Sequence, residues 1–240
     1  MKAMIFAAGL GTRLRPLTDT TPKALVPING KPLLHHILCK LQQAGCTHVV
    51  INVHHHAEQI VSYVHNHDYG MRIEISDESH MLLDTGGGLR KAASLLEGDE
   101  PILVHNVDIL SNIDFDVLLQ KHLPDSLATV VVSPRDTTRY LLFDNDMRMQ
   151  GWCNIKSGEV KPQGLDATGL QRAAFAGIHV VSPRIFELMS QMPDKFSIID
   201  FYLRFMSEHH IIGYIPQDFV MLDVGKIDSL KPAEEFVKNI

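Results

Sequence analysis

An α/β fold with a largely parallel sheet covered on both faces is predicted by three features of this 240-residue chain. Short apolar runs of strand length alternate with amphipathic stretches of helix length, and glycine, proline or clustered polar residues separate them. Beyond residue 139 the rhythm changes. Tyr140–Phe143 and Met149–Ile155 flank the turn-rich Asp144-Asn145-Asp146, which predicts a small antiparallel excursion rather than another crossover unit.

The elements follow in order. Lys2–Ala8 reads as a buried strand running into Gly9 and Gly11. Pro32–Ala44 predicts a helix, with proline near its start, Leu33, Leu34, Ile37, Leu38 and Leu41 on one face, and Gly45 as its stop. His48–Val53 is a strand, Ala57–His65 a helix with Ile60, Val61 and Val64 inward, and Met71–Ser76 an alternating strand. A further helix is expected from Thr85 or soon after, then strands at Pro101–Val104 and Leu127–Ser133 around a helix at Phe115–His122. Lys156–Thr168, rich in glycine, proline and polar residues, reads as a mobile loop. Phe175–Val181 returns to strand, Pro183–Gln191 and Ile198–Glu208 to helix, Ile211–Ile215 and Phe219–Val224 to strand, and Pro232–Lys238 closes with a helix.

Composition narrows the class. With 45% hydrophobic and 21% charged residues the chain is ordinary globular protein, expected as a single domain over residues 1–240. A formal net charge of −6 argues against nucleic acid as a partner, so an anionic substrate must be held by local charge. Cys39, Cys46 and Cys153 form no paired motif, which favours a reducing, cytoplasmic setting. No apolar run approaches the length of a membrane span, and no membrane partner is expected.

Candidate chemistry clusters at predicted strand ends. Gly9-Leu-Gly11 leaves backbone amides free to face phosphate oxygens, with Arg13 and Lys23 supplying charge. A Walker A loop and a dinucleotide fingerprint are both excluded, the latter because Leu14 stands where a third glycine is required. Asp84-Thr-Gly-Gly-Gly88 is expected to place three unhindered amides at a helix start, suited to an anion or a close-packed ring. Asp108 and Asp223 each follow an apolar strand, the edge at which open α/β sheets bind ligands. Two such carboxylates are sufficient for Mg2+, although spacing alone does not bring them together. The His54-His-His56 run lacks a matching ligand pattern and reads as a solvated loop.

The stretches Ala7–Thr18, Thr21–Pro27 and Gly30–Leu34 together resemble the N-terminal signature of the sugar-1-phosphate nucleotidyltransferases, and the likeness extends from Met1 to Asp223. That resemblance implies a Rossmann-like three-layer α/β/α fold and a reaction of a nucleoside triphosphate with a sugar 1-phosphate. It places Ala8, Gly9, Gly11 and Thr12 on the nucleotide, Arg13 on the outer phosphates and Lys23 at the α-phosphate. It further implies that Gly86 and Gly87 approach base and ribose, that Asn106 and Gly177 line the acceptor side, and that Asp108 and Asp223 hold Mg2+. Two departures stand out: Val107 replaces the family glycine, where it is expected to crowd the sugar phosphate, and Lys226 ends the second acidic segment. Lys161-Pro162 resembles a sugar-phosphate-gripping element of larger relatives, but its neighbours do not match and it is not assigned. Chain length and the acidic Thr-Gly-Gly-Gly segment most resemble members joining UTP to N-acetylmuramate 1-phosphate. Guanylyltransferases for mannose or heptose 1-phosphate, phosphocholine cytidylyltransferases and a catalytically silent nucleotide-sugar-binding homologue are the alternatives.

Overall fold

The computed structural model describes residues 1–239. In chain order its strands and helices are β1 (Lys2–Phe6), β2 (Pro27–Ile28), β3 (Lys31–Pro32), α1 (Leu33–Gln43), β4 (His48–Val53), α2 (Ala57–His65), β5 (Arg72–Asp77), α3 (Asp84–Lys91), β6 (Ile102–Asn106), β7 (Ile109–Ser111) and α4 (Phe115–Gln120). There follow β8 (Ser126–Ser133), β9 (Arg139–Phe143), β10 (Met149–Asn154), β11 (Glu159–Lys161), β12 (Gln171–Val181), α5 (Ile185–Met189), α6 (Ile198–Phe205), β13 (His210–Tyr214), β14 (Met221–Asp223) and α7 (Leu230–Phe236).

The sheet runs β11-β10-β9-β12-β6-β1-β4-β5, with β8 paired to β12 and β13. Strands β6, β1, β4 and β5 are parallel, and β8 and β13 pair in parallel beside them. Strand β12 runs antiparallel to β6, and its first residues lead into the β9–β11 excursion. The period of two along β1 explains the layers. Ala3 and Ile5 belong to a buried cluster with Leu34, Ile37, Leu38 and Leu41 of α1, Ile60 and Val64 of α2, and Phe115 and Leu118 of α4. Met4 and Phe6 belong to a second cluster, with Leu89 of α3, Ile185 of α5 and Phe201 of α6. A third, smaller cluster joins Leu14, Val26 and Leu33 to Leu110 of β7, Val224 and Ala233 of α7, tying the N-terminal loop to the strands that carry the acidic residues.

Most expected elements are present, with three informative differences. The segment expected as a loop, 156–168, contains β11, which pairs with β10 through Trp152 and Lys161. Helix α7 begins before Pro232 rather than at it, and its first turn tolerates a residue without an amide hydrogen. The third difference concerns Asp84–Gly88. Helix α3 begins at Asp84, within a residue of the expected start, but its glycines do not offer the free amides expected there.

Glycine is a poor helix former, so three in succession need a packing reason. A Cβ on Gly86 would overlap the Phe196 ring, one on Gly87 would lie 2.7 Å from the Asp194 carbonyl oxygen, and one on Gly88 would lie 2.6 Å from Glu78 Oε1. The amides of Gly86 and Gly87 both donate to the Phe196 carbonyl, at 3.0 and 3.1 Å. The expectation of free amides facing a ligand is thereby corrected, because close approach of the 194–196 segment uses them. Arg90 completes this clamp. Its guanidinium donates to the carbonyls of Met189, Met192 and Asp194 and stands 5.4 Å from the Phe196 ring centroid.

Two histidines lie in the middle of the sheet. His105 on β6 is 2% exposed, donates from Nδ1 to the Asn106 carbonyl at 2.8 Å, and has its pKa pushed down by burial to about 4. His179 on β12 is 1% exposed and sits 3.3 Å from the Tyr202 hydroxyl, and burial pushes its pKa to about 3.

Gly86→Ala is expected to lower stability by about 1–3 kcal/mol through overpacking against Phe196, read as a lower thermal midpoint. Acid should also destabilise the wild type. The two buried histidines are neutral when folded, whereas the unfolded chain binds their protons near the ordinary value of 6.5, so stability is complete above that pH and falls as pH drops toward 4 and 3. At pH 5 each should contribute roughly 2 kcal/mol of loss relative to pH 8, and His179→Phe should flatten the acid limb of a denaturant-midpoint profile.

Candidate active site

The carboxyl end of β1 delivers the chain to the Gly9–Arg13 loop. Gly9 has open space around its Cα, whereas Gly11 adopts φ +63°, and a Cβ there would lie 2.9 Å from Thr18 Cγ2 and 3.1 Å from Lys23 Cβ. Both the left-handed backbone and the close approach require glycine at 11. Thr18 Oγ1 donates to the Gly11 carbonyl at 2.8 Å, which fixes the loop against the turn that carries Lys23. Thr12 and Arg13 stand exposed on the outer side, and Leu14 anchors them by full burial.

Asp108 follows β6 by two residues, and Asp223 ends β14. The antiparallel pairing of β14 with β7 aligns Asp223 with Ile109, and the Val224 amide donates to the Asp108 carbonyl at 2.8 Å. Two strands of three residues thus bring together the pair that spacing could not. Lys23, itself 9% exposed, forms an ion pair with Asp108. Arg13 Nη2 and Asp223 Oδ1 each lie 2.6 Å from the point that a Cβ on Gly225 would occupy, so glycine in Asp223-Val-Gly225 makes room for both. Asp108 is thus paired with a cation, and Arg13 stands on the Asp223 side without pairing to it. Among the described residues no group of three or more His, Cys, Asp and Glu side chains is gathered to hold a metal. The donor set is therefore two hard carboxylate oxygens, which fits a hard dication that completes its shell with phosphate oxygens and water.

Val107 does not crowd this region. Its side chain is 3% exposed and belongs to the cluster that contains Ile109, Ile113 and Phe115, so the expected obstruction of the sugar phosphate is corrected. Asn106 stays partly accessible at the end of β6. Gly177 explains its position: at φ +73° in β12 it leaves the space that Asn106 Nδ2 fills, 2.6 Å from the absent Cβ. Gly177 serves as the seat of Asn106.

A cavity of about 300 Å3 opens beside the glycine loop, lined by Ala8, Gly9, Asn52, Glu78, Thr85 and Ser197 among others. Its floor is a polar relay. Asn52 Oδ1 accepts from the Ala7 amide at 2.7 Å, Asn52 Nδ2 donates to Glu78 Oε1 at 2.6 Å, and Glu78 Oε2 accepts from the Leu83 amide at 3.1 Å. Glu78 is fully buried, and desolvation raises its pKa against these hydrogen bonds. Sequence reading missed this relay, although an asparagine inside the apolar run Val49–Val53 was a visible signal. Thr85 and Ser197 meet at the other wall, where Thr85 Oγ1 accepts from the Ile198 amide at 2.9 Å. Gly86 and Gly87 lie behind this wall, so their contribution is to hold Thr85 and Ser197 in place.

A second cavity of about 370 Å3 also includes Ser197 and extends over the β9–β11 excursion to Arg135, Arg139, Trp152, Lys161 and Phe175. The unassigned Lys161 is therefore at a ligand-sized cleft. The histidine run is only partly the solvated loop expected: His55 is exposed, but His54 donates from Nδ1 to the Glu78 carbonyl at 2.7 Å and His56 packs on His55 at a centroid distance of 3.8 Å.

Residues 2–240 match the family model described as nucleotidyl transferase. The chain is 38% identical over 193 residues to an N-acetylmuramate alpha-1-phosphate uridylyltransferase of Neisseria meningitidis serogroup B, covering 78% of each. It is 32% identical over 232 residues to a protein of the same name from Caulobacter vibrioides, covering 91% of this chain and 90% of that one. A D-glycero-alpha-D-manno-heptose 1-phosphate guanylyltransferase of Aneurinibacillus thermoaerophilus is 28% identical, covering 100% of this chain and 99% of the relative. In fold, a UDP-glucose pyrophosphorylase solved with UDP-glucose superposes with a TM-score of 0.78 at 20% identity, covering 99% and 98% of the two chains. No described helix is long and apolar enough to cross a membrane. The chain belongs to the nucleotidyl transferase family, among its sugar-1-phosphate nucleotidyltransferases.

Proposed function

We propose that this enzyme transfers the uridylyl group of UTP to N-acetylmuramate 1-phosphate, releasing pyrophosphate, with Mg2+ as cofactor. The observation that carries the two-substrate reading is Ser197, which lines both the cavity beside the glycine loop and the cleft over β9–β11, so that nucleotide and acceptor meet along one continuous surface. The uridylyl and muramate assignments are supported by the two relatives of that activity.

In this reading an oxygen of the sugar phosphate forms the new bond to the α-phosphorus while the bond from that phosphorus to its bridging oxygen breaks and pyrophosphate departs. The nucleophile is already ionised, so no protein base or covalent intermediate is needed, and catalysis rests on positioning and charge. Gly9 and Gly11 cradle the phosphates, Arg13 holds the leaving pyrophosphate, and Lys23 faces the α-phosphate where charge rearranges. Asp108 and Asp223 would hold Mg2+, which when bound supplies charge neutralisation at the reacting phosphate. Lys23 then exchanges its contact with Asp108 for the phosphate. Asn106 and its seat Gly177 orient the acceptor.

Asp108→Asn and Asp223→Asn should each reduce turnover by two orders of magnitude or more without changing the circular dichroism spectrum, and chelation should abolish turnover. Near-wild-type rates in either folded variant would remove that residue from the site. Comparing kcat/KM for UTP, GTP, CTP, ATP and dTTP with several sugar 1-phosphates should show UTP with N-acetylmuramate 1-phosphate ahead. The whole-chain likeness to the heptose 1-phosphate guanylyltransferase makes GTP with a heptose or mannose phosphate the competing outcome, and that result would replace the assignment.

A further inference from the structure

The cleft over β9–β11 carries more positive charge than a neutral sugar requires. Arg135, Arg139 and Lys161 line it, against the single carboxylate of Asp200, in a protein whose formal charge is −6. Asp200 is already engaged: its Oδ2 accepts from Ser197 Oγ at 2.6 Å. Arg135 commits one donor to the Phe175 carbonyl at 3.1 Å and so spans the cleft from β8's end to β12. Lys161 lies over the Trp152 ring, 5.3 Å from its centroid, and 3.5 Å from Glu159. Arg139 makes no ion pair with any described residue, and its planar fork is the member of the three left with its full donor set. The reacting phosphates have their own cations, Arg13 and Lys23, on the loop and turn that follow β1.

We propose that Arg139 reads a carboxylate carried by the acceptor sugar itself, a second anionic group beyond the 1-phosphate, with Arg135 and Lys161 keeping that end of the cleft electropositive. A guanidinium matches a carboxylate with two parallel hydrogen bonds, and a lysine does not. The cleft suits such a sugar in its other surfaces too, because Trp152, Tyr140 and Leu141 provide apolar faces beside the charge. N-acetylmuramate has this chemistry: its lactyl ether adds a carboxylate to a skeleton otherwise identical to N-acetylglucosamine. The inference rests on the acceptor assignment above and adds the residue that enforces it.

The test compares N-acetylmuramate 1-phosphate with N-acetylglucosamine 1-phosphate, each with saturating UTP and Mg2+, by continuous pyrophosphate release. Wild type should favour the carboxylated sugar by a factor of about 10–100 in kcat/KM, the range a charge-assisted hydrogen bond supplies. Arg139→Gln should remove most of that preference by raising KM for the muramate, with the KM for UTP unchanged and kcat/KM for N-acetylglucosamine 1-phosphate moving less than threefold. Arg139→Lys, which keeps charge but not the fork, should fall between the two, and thermal midpoints within a few degrees of wild type exclude misfolding from a change at this exposed first residue of β9. An equal loss for both sugars in Arg139→Gln would show that the guanidinium serves the 1-phosphate and would overturn the proposal. Equal use of both sugars by wild type would overturn it as well, while leaving uridylyl transfer standing. Turnover of neither sugar with UTP would instead overturn the acceptor assignment and this inference together.

Discussion

Two acidic residues on one short ladder call for cations near them, and much of the surrounding structure answers that need. Asp108 and Asp223 are brought to one edge by the backbone pairing of β7 with β14. The arrangement is tolerable because Lys23 pairs with one, Arg13 approaches the other, and Asp223 remains exposed to water. Both cations arrive from the segment that follows β1, whose course depends on glycine at 11, on Thr18 bonded to its carbonyl, and on Leu14 in the third apolar cluster. The same cluster includes Leu110 and Val224, immediate neighbours of the acidic strands. Apolar packing outside the site therefore sets an electrostatic distance inside it.

The constraint has a functional consequence. Under the proposed function the Lys23–Asp108 ion pair is the internal contact that a triphosphate with a divalent cation would replace, while Arg13 stands near Asp223 without pairing to it. Under that proposal the ammonium and guanidinium would turn to phosphate oxygens and the carboxylates would hold the metal. Little reorganisation of the backbone is needed for this exchange, since every partner sits on a paired strand or a short anchored turn. Electrostatic groups fixed before the reaction cost no reordering at the transition state, and this reaction class depends on that economy.

How much of this could be read from residues alone depended on whether the reason was local. Gly9, Gly11, Arg13 and Lys23 were readable because a strand end with glycine and flanking cations carries its meaning in a few consecutive positions. Asp108 and Asp223 were readable as residue types, but their partnership lies in a three-residue ladder between segments more than a hundred positions apart. Gly86 and Gly87 were misread for a physical reason. Three small residues at a helix start were read as amides left open for a ligand, whereas the close approach of Phe196 and Asp194 is what demands glycine there and takes up those amides. Glu78 could not be found at all, since Asp77-Glu78-Ser79 looks like a solvated turn and only the fold buries its middle member. Val107 shows the opposite error: the expected obstruction disappeared once the turn between β6 and β7 placed its side chain in the apolar cluster.

The proposed acceptor cleft lies where the sheet stops being parallel. Under the proposed function the loops after β1 and β6 supply the phosphate cradle, both cations and Asp108, and the separate β7–β14 pair supplies Asp223. Strand β12 passes beside β6 with its second half and beside β9 with its first, so one strand carries Gly177 at the reaction end and reaches the cleft of Arg139 and Trp152 at the other. Acceptor recognition can thus change through β9–β11 without disturbing Asp108 or Lys23, because the two regions share backbone but no side-chain contact among the pairs that set the reacting charges. The cavity beside the glycine loop is less separable. The Asn52–Glu78 relay at its floor is tied through the Ala7 amide to the end of β1, so a change there is transmitted to the Gly9–Arg13 loop. The fold therefore leaves the cleft over β9–β11 freer to diverge than the cavity beside the glycine loop.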